Sequence, residues 1–156
     1  NLPVCNYIGY EAFTDSNFSG SLNLPMCTYI GSYAFLYSDF TGDFNCPNLQ
    51  EVGNGAFRNS VFDGAFECPD LQAVGNRAFR DSEFTGSFNC PVCTEIGQDS
   101  FLNSTFTTIT IGANATLGTG CIGAHSTEFI QDYADNGKLG GTYVWDAGTN
   151  HWIYQT

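Results

Sequence analysis

Apolar residues return along this chain with a period of 22. With units starting at residues 1, 23, 45, 67 and 89, position eight is Ile8, Ile30, Val52, Val74 and Ile96. Position nine is Gly9, Gly31, Gly53, Gly75 and Gly97. A small residue and a phenylalanine follow: Ala12-Phe13, Ala34-Phe35, Ala56-Phe57, Ala78-Phe79 and Ser100-Phe101. Position sixteen is Ser16, Ser38, Ser60, Ser82 and Ser104, and position eighteen is Phe18, Phe40, Phe62, Phe84 and Phe106. Position three is always proline, from Pro3 to Pro91. A fixed period of this length predicts a stacked solenoid, because a single unit cannot bury its apolar side alone.

Within a unit the pattern changes character. Phe62, Gly64, Phe66 and Cys68 alternate with Val61, Asp63, Ala65 and Glu67, which predicts a half-buried strand. Pro69 ends it, since proline donates nothing to a ladder. Leu71 and Val74 are expected to point inward, and Gly75 to supply a turn with positive φ. Gly-x-x-Ala-Phe is too short for a full helix and is read as one helical or 3₁₀ turn. The serine after it is expected at a buried corner, its hydroxyl bonded to turn backbone. One strand per coil, stacked in parallel at ~4.8 Å, gives five coils a length of ~24 Å. Each buried phenylalanine in the spine contributes about 1.5–3 kcal/mol.

The run Ile-Gly-x-x-Ala-Phe, then a small polar residue, then an apolar strand ending in proline, resembles the BspA-like class of bacterial leucine-rich repeats over about residues 1–112. Phenylalanine replaces the leucine or isoleucine usual in that family, and serine its frequent cysteine. The Phe-x-Gly-x-Phe strand is one residue longer than the family's, and its glycine suggests a bulge. Phe106-Thr107-Thr108-Ile109-Thr110-Ile111-Gly112 returns to the family spacing. The resemblance implies a right-handed leucine-rich-repeat superhelix, with one short strand and one short turn per coil. It also implies a bacterial surface or secreted protein with adhesive roles and no catalytic residues.

The strict period ends at Gly112. Residues 1–112 are therefore read as five coils and residues 113–156 as a C-terminal cap. Gly112 through Ala124 is rich in Gly and Thr and is expected to form an irregular last coil. Ser126 is read as the N-cap of a short helix over 127–135, with Glu128 in its first turn and Asn136-Gly137 as its stop. Phe129, Ile130, Tyr133 and Ala134 give it an apolar face. The segments 142–145 and 151–154 flank a five-residue loop and predict a β-hairpin. Trp145 and Trp152 are expected to pack on the solenoid end, with sugar stacking as the other reading. The family's short C-terminal segments are similar.

Composition narrows the function. Sixteen acidic residues against four basic ones give a net charge of −12, so nucleic acids and anionic membranes are poor partners. No apolar run approaches the ~18 residues of a membrane span. The first unit starts in register at Asn1 with no export signal and no polar cap, which reads as a processed or excised piece. Its leading edge is expected to meet further repeats or a second copy of the chain.

The seven cysteines follow the ladder. Cys46, Cys68 and Cys90 share a column with Leu2 and Leu24, and Cys5, Cys27 and Cys93 share one with Leu49 and Leu71. They are read as small apolar residues and free thiols, although Cys90-Pro91-Val92-Cys93 formally has redox or zinc spacing. His125 and His151 have no metal-site spacing around them. No cofactor, metal site or catalytic constellation is expected, so the chain is read as non-enzymatic.

Candidate ligand residues lie in the outward columns. Asp39, Asp43, Asp63, Glu67 and Glu83 form an acidic, hydroxyl-rich face suited to a basic peptide or a divalent cation. Tyr7, Tyr10, Tyr29, Tyr33 and Tyr37 cluster on the first two units, while units three and four carry Arg58, Arg77 and Arg80 instead. Tyr and Arg are frequent binding anchors. The reading is a cell-surface or secreted module that binds a protein or glycan ligand on host or neighbouring cells. The alternative is a structural spacer within a larger surface protein.

Overall fold

The structure, a computed structural model, describes Leu2 and residues 4–156; Asn1 and the first proline of its column, Pro3, lie outside them. The chain winds as a solenoid whose successive coils stack in parallel. Each of the first five coils carries at least two strand segments where the alternation predicted one longer strand, and of the stretch 61–68 only Phe66–Glu67 is strand. One parallel ladder of six joins Tyr7–Ile8, Tyr29–Ile30, Glu51–Val52, Ala73–Val74, Glu95–Ile96 and Thr116–Leu117. Ile8 pairs with Ile30, Ile30 with Val52, and so on, so the position-eight aliphatics line one inward row. A second sheet joins Phe44–Asn45, Phe66–Glu67, Thr85–Cys90 and Thr105–Ile111 in parallel. Ser19–Gly20 and Asp39–Phe40 form a separate two-stranded pair in the first coils. The two-residue strands of the first ladder are too short to display alternation, which hid them in the sequence.

Phenylalanines form the core. Phe13, Phe35, Phe57, Phe79 and Phe101 stack nearly parallel, with centroids 5.1–5.2 Å apart. Phe18, Phe40, Phe62, Phe84 and Phe106 make a second stack at 5.5–6.1 Å. Phe44, Phe66 and Phe88 make a third, and edge contacts tie the three together. Each such ring pair contributes about 0.5–1.5 kcal/mol beyond the area it buries. Cys46, Cys68 and Cys90 are fully buried beside them, and all seven cysteines are free.

The Gly-x-x-Ala-Phe segment is a chain of turns whose backbone bonds alternate. Gly55, Phe57 and Asn59 donate their N–H groups to Asn76, Ala78 and Arg80 of the next coil at 2.7–2.9 Å. Ala56, Arg58 and Ser60 donate to the carbonyls three residues back at 3.0–3.4 Å. Left-handed residues at positions eleven and fifteen, such as Gly55 and Asn59, break any continuous helical path. Position nine does not have the positive φ expected of it. Its glycines serve close approach instead: a Cβ on Gly75 would meet Asn54 N at 2.6 Å and Gly53 C at 2.7 Å. Two of the buried position-sixteen serines reach across coils, Ser82 Oγ donating to Ser60 O and Ser104 Oγ to Ser82 O, both at 3.2 Å, whereas the Oγ atoms of Ser38 and Ser60 have no partner among the described residues.

The ladder continues past Gly112. Thr116–Leu117 pairs with Glu95–Ile96 at an offset of 21, one residue less than before. The strand before it is irregular too: the register of Thr105–Ile111 against Thr85–Cys90 shifts by one residue between Phe106 and Thr108, leaving Thr107 without a ladder partner. Gly118, Cys121 and Ile122 occupy the places of Gly97, Ser100 and Phe101, so the segment expected to be irregular is a sixth turn of the solenoid.

The helix Ser126–Asp135 follows, with left-handed His125 at its N-cap. Ser126 does not cap this helix: its Oγ accepts from Ile122 N–H at 2.9 Å and so closes the sixth coil. Phe129 and Tyr133 are buried, Ile130 partly, whereas Ala134 is exposed. The hairpin Gly141–Asp146 and His151–Gln155 joins the second sheet antiparallel to Thr105–Ile111, pairing Thr108 with Val144 and Ile111 with Gly141.

Candidate binding surfaces

Tyr7 and Tyr29 are neighbours in the first ladder and project outward at position seven. Their rings stack at 4.9 Å with an interplanar angle of 9°. Tyr10 meets Tyr33 edge-on at 6.1 Å. Tyr7 is 62% exposed, Tyr10 65% and Tyr37 51%. Tyr37 makes no ring contact with the others. Burial and the nearby Glu51 carboxylate raise the Tyr29 pKa, and a hydrogen bond with Glu11 raises that of Tyr10. Tyr33 (φ 58°) and Tyr37 (φ 63°) occupy left-handed positions, which cost an L-residue about 1–2 kcal/mol relative to glycine. Folding alone therefore disfavours tyrosine at both places.

The acidic columns are partly committed to structure. Asp63 Oδ1 accepts from Gly42 N–H and Asp43 Oδ1 from Ala65 N–H, each at 2.8 Å. Glu67 accepts from Ser87 Oγ at 2.8 Å and from Asn89 Nδ2 at 2.7 Å. Asp39 and Glu83 are exposed at position seventeen and make no side-chain hydrogen bond among the described residues. Three of the five carboxylates thus serve as clips within and between coils.

A further ladder escaped the sequence reading. At position ten, Ser32 Oγ accepts from Asn54 N–H at 3.1 Å, Asn54 Oδ1 from Asn76 N–H at 2.7 Å, and Asn76 Oδ1 from Gln98 N–H at 2.7 Å. Its signal was the run Ser, Asn, Asn, Gln in one column beside the glycines.

The cap positions its polar groups for packing. Asp132 is buried and accepts from Trp152 N–H at 2.6 Å, with His151 Nδ1 2.8 Å from its other oxygen. His125 stacks on Trp145 at 3.8 Å, and its carbonyl accepts from Trp152 Nε1 at 3.2 Å. Trp152 is buried and Trp145 partly covered, as end-packing requires. Burial pushes the Cys46 and Cys93 thiols up to about 12 and Cys121 up to about 11, and raises Cys68 and Cys90 strongly. Such thiols are poor nucleophiles at neutral pH. Among the described residues no three His, Cys, Asp or Glu side chains are grouped as metal ligands would be.

Residues 6–126 match the family model of the BspA type leucine rich repeat region, in six copies. No curated protein and no solved structure matches the chain significantly. The number of copies equals the number of strands in the first ladder, all of which lie within the matched residues. On these grounds the chain belongs to the BspA-type leucine-rich-repeat family, whose solenoids are protein-interaction modules and typically non-catalytic.

Proposed function

We propose that this chain is the recognition module of a secreted or cell-surface adhesin, binding a protein or glycan through the tyrosine cluster of its first coils. The observation that carries this reading is the stack of exposed Tyr7 on half-buried Tyr29, with exposed Tyr10 meeting half-buried Tyr33. Rigid exposed aromatics supply large contact area at small entropic loss. Proteins of this type are generally secreted or on the cell surface, and among the described residues no helix is long and apolar enough to cross a membrane. Asp39 and Glu83, exposed and without side-chain partners among the described residues, offer a separate acidic surface to a basic segment of the partner. The experiment is capture on arrays of matrix proteins and glycans, with wild type beside Tyr7→Ala/Tyr29→Ala. Loss of a specific signal in the double variant supports the reading. No specific signal from wild type would favour a spacer.

The same reading includes self-association. Phe18 is 41% exposed, and with Leu2, Phe13 and Leu22 it lines a mainly apolar depression of about 260 Å³ on the first coil. A second copy meeting this face end to end would cover it. Sedimentation against concentration tests this, with Phe18→Glu as control; a monomer at every concentration sinks it.

A further inference from the structure

Three of the four basic residues of this strongly acidic chain lie between residues 58 and 80. Two of them, Arg58 and Arg77, line a depression of about 240 Å³ with Tyr33, Asn54, Gly55 and Asn76. Its origin is local. Position eleven is Tyr33, then Gly55, then Arg77, so glycine leaves a gap between two large side chains. The Tyr33 ring leans into that gap, where a Cβ on Gly55 would meet its Cε1 at 2.7 Å.

The gap presents hydrogen-bond donors. The Oδ1 atoms of Asn54 and Asn76 are occupied by the position-ten ladder, which leaves the Nδ2 amides free to donate outward. Arg58 has no carboxylate within ion-pair distance among the described residues, and its Nε has no hydrogen-bond partner there. Arg77 is 51% exposed and only loosely paired, its Nε 3.8 Å from Asp99 Oδ2. Guanidinium forks match carboxylate geometry in two-point contacts.

The surroundings restrict the ligand further. A polyanion such as nucleic acid, a heavily sulfated polymer or an acidic protein would face repulsion from the rest of a surface carrying −12. A ligand with one carboxylate and otherwise neutral, hydroxyl-rich groups avoids that repulsion. Its hydroxyls would meet the two carboxamides, and its ring would meet Tyr33. We infer that the depression between Tyr33 and Arg77 is a subsite for a carboxylate-bearing sugar, a uronate or sialate residue of an acidic glycan. This deepens the reading of the chain as a binding module and joins the subsite to the tyrosine cluster through Tyr33, which meets Tyr10 edge-on.

The test is NMR titration of the full chain with methyl glucuronide, N-acetylneuraminate, methyl glucoside and a glutamate-containing peptide. The expected result is saturable binding of the acidic sugars in the millimolar range. It should shift the Asn54 and Asn76 side-chain amides, weaken with added salt, and fall about tenfold or more in Arg77→Gln. Arg58→Gln should weaken it independently, and matching circular dichroism would show both variants folded. Equal binding of the neutral glucoside, tighter binding of the peptide, or no saturable shift with any acidic sugar would each overturn the proposal. Failure here leaves the array result with Tyr7→Ala/Tyr29→Ala intact, and failure there leaves this titration intact, so the two readings stand or fall separately.

Discussion

Substituting one glycine at two heights in the solenoid separates two reasons for its presence. Gly53 and Gly9 occupy the same column. A Cβ on Gly53 would lie 2.7 Å from Gly31 C and 2.8 Å from Ser32 Oγ, with Ser32 N closer still. A Cβ on Gly9 would meet only Tyr7 Cε1, at 3.7 Å. Neither residue has positive φ, so alanine is conformationally acceptable at both. Both changes stiffen the unfolded chain equally, a gain of about 0.4–1 kcal/mol. Only Gly53→Ala must push two coils apart, by about 1 Å for the closest atom, Ser32 N, to reach ordinary contact at 3.4 Å. That movement strains the Gly53 N–H bond to Ile30 O, now 2.7 Å, and overpacks the backbone. Overpacking costs about 1–3 kcal/mol and a lost backbone bond about 0.5–1.5, so Gly53→Ala should be less stable than Gly9→Ala by about 2–4 kcal/mol. Urea denaturation followed by circular dichroism measures it, with unchanged slope confirming an intact fold. Two variants within about 0.5 kcal/mol of each other would refute close approach as the role of this column.

Three further outcomes are expected. Phe57 is fully buried against five phenylalanines, so Phe57→Ala should cost about 4–5 kcal/mol by denaturant melt, whereas half-buried Phe13 in the same column should cost less than half of that. Ser60 Oγ is buried without a partner among the described residues, while Ser104 Oγ donates to Ser82 O. Ser60→Ala should therefore be neutral or stabilising and Ser104→Ala destabilising by about 1 kcal/mol; equal effects would show that Ser60 is bonded in solution. Buried Cys46 and Cys93 titrate near 12 in the folded chain against an ordinary value near 9, so the folded state holds protons that the unfolded state has released. Stability should be complete below about pH 9 and fall steadily towards 12, with native thiols resisting alkylation at pH 7; a flat profile, or seven fast-reacting thiols, would contradict the burial.

The columns were legible because their period is strict: Ile8, Phe13, Ser38 and Cys68 could be assigned inward from repetition alone. What was hidden had competing explanations or weak signals. A glycine suits both a left-handed turn and a close contact, and only coordinates separate them at Gly75. The sixth coil substitutes Cys121-Ile122 for Ser100-Phe101 and shortens the spacing by one residue, which concealed its membership. Ser126 stands where an N-cap belongs, yet its hydroxyl serves the coil behind it. On the surface, exposure of Asp63 and Glu67 could be inferred from alternation, but their bonds between coils could not. The donor pocket depends on the meeting of positions ten, eleven and fourteen across three coils, a conjunction invisible in any single column.

The alternating turn bonds also bear on how such a chain changes length over evolutionary time. Because Gly55, Phe57 and Asn59 bond to equivalent residues one coil onward, excising a whole internal unit returns each orphaned donor to an acceptor of the same kind. Adding or excising a single residue shifts every later column out of line, unless a strand takes up the change in an irregularity such as the one at Thr107. Unequal recombination between repeats therefore yields folded offspring when it moves in whole coils. The binding surface can be lengthened, shortened or reshuffled while the phenylalanine spine stays in step.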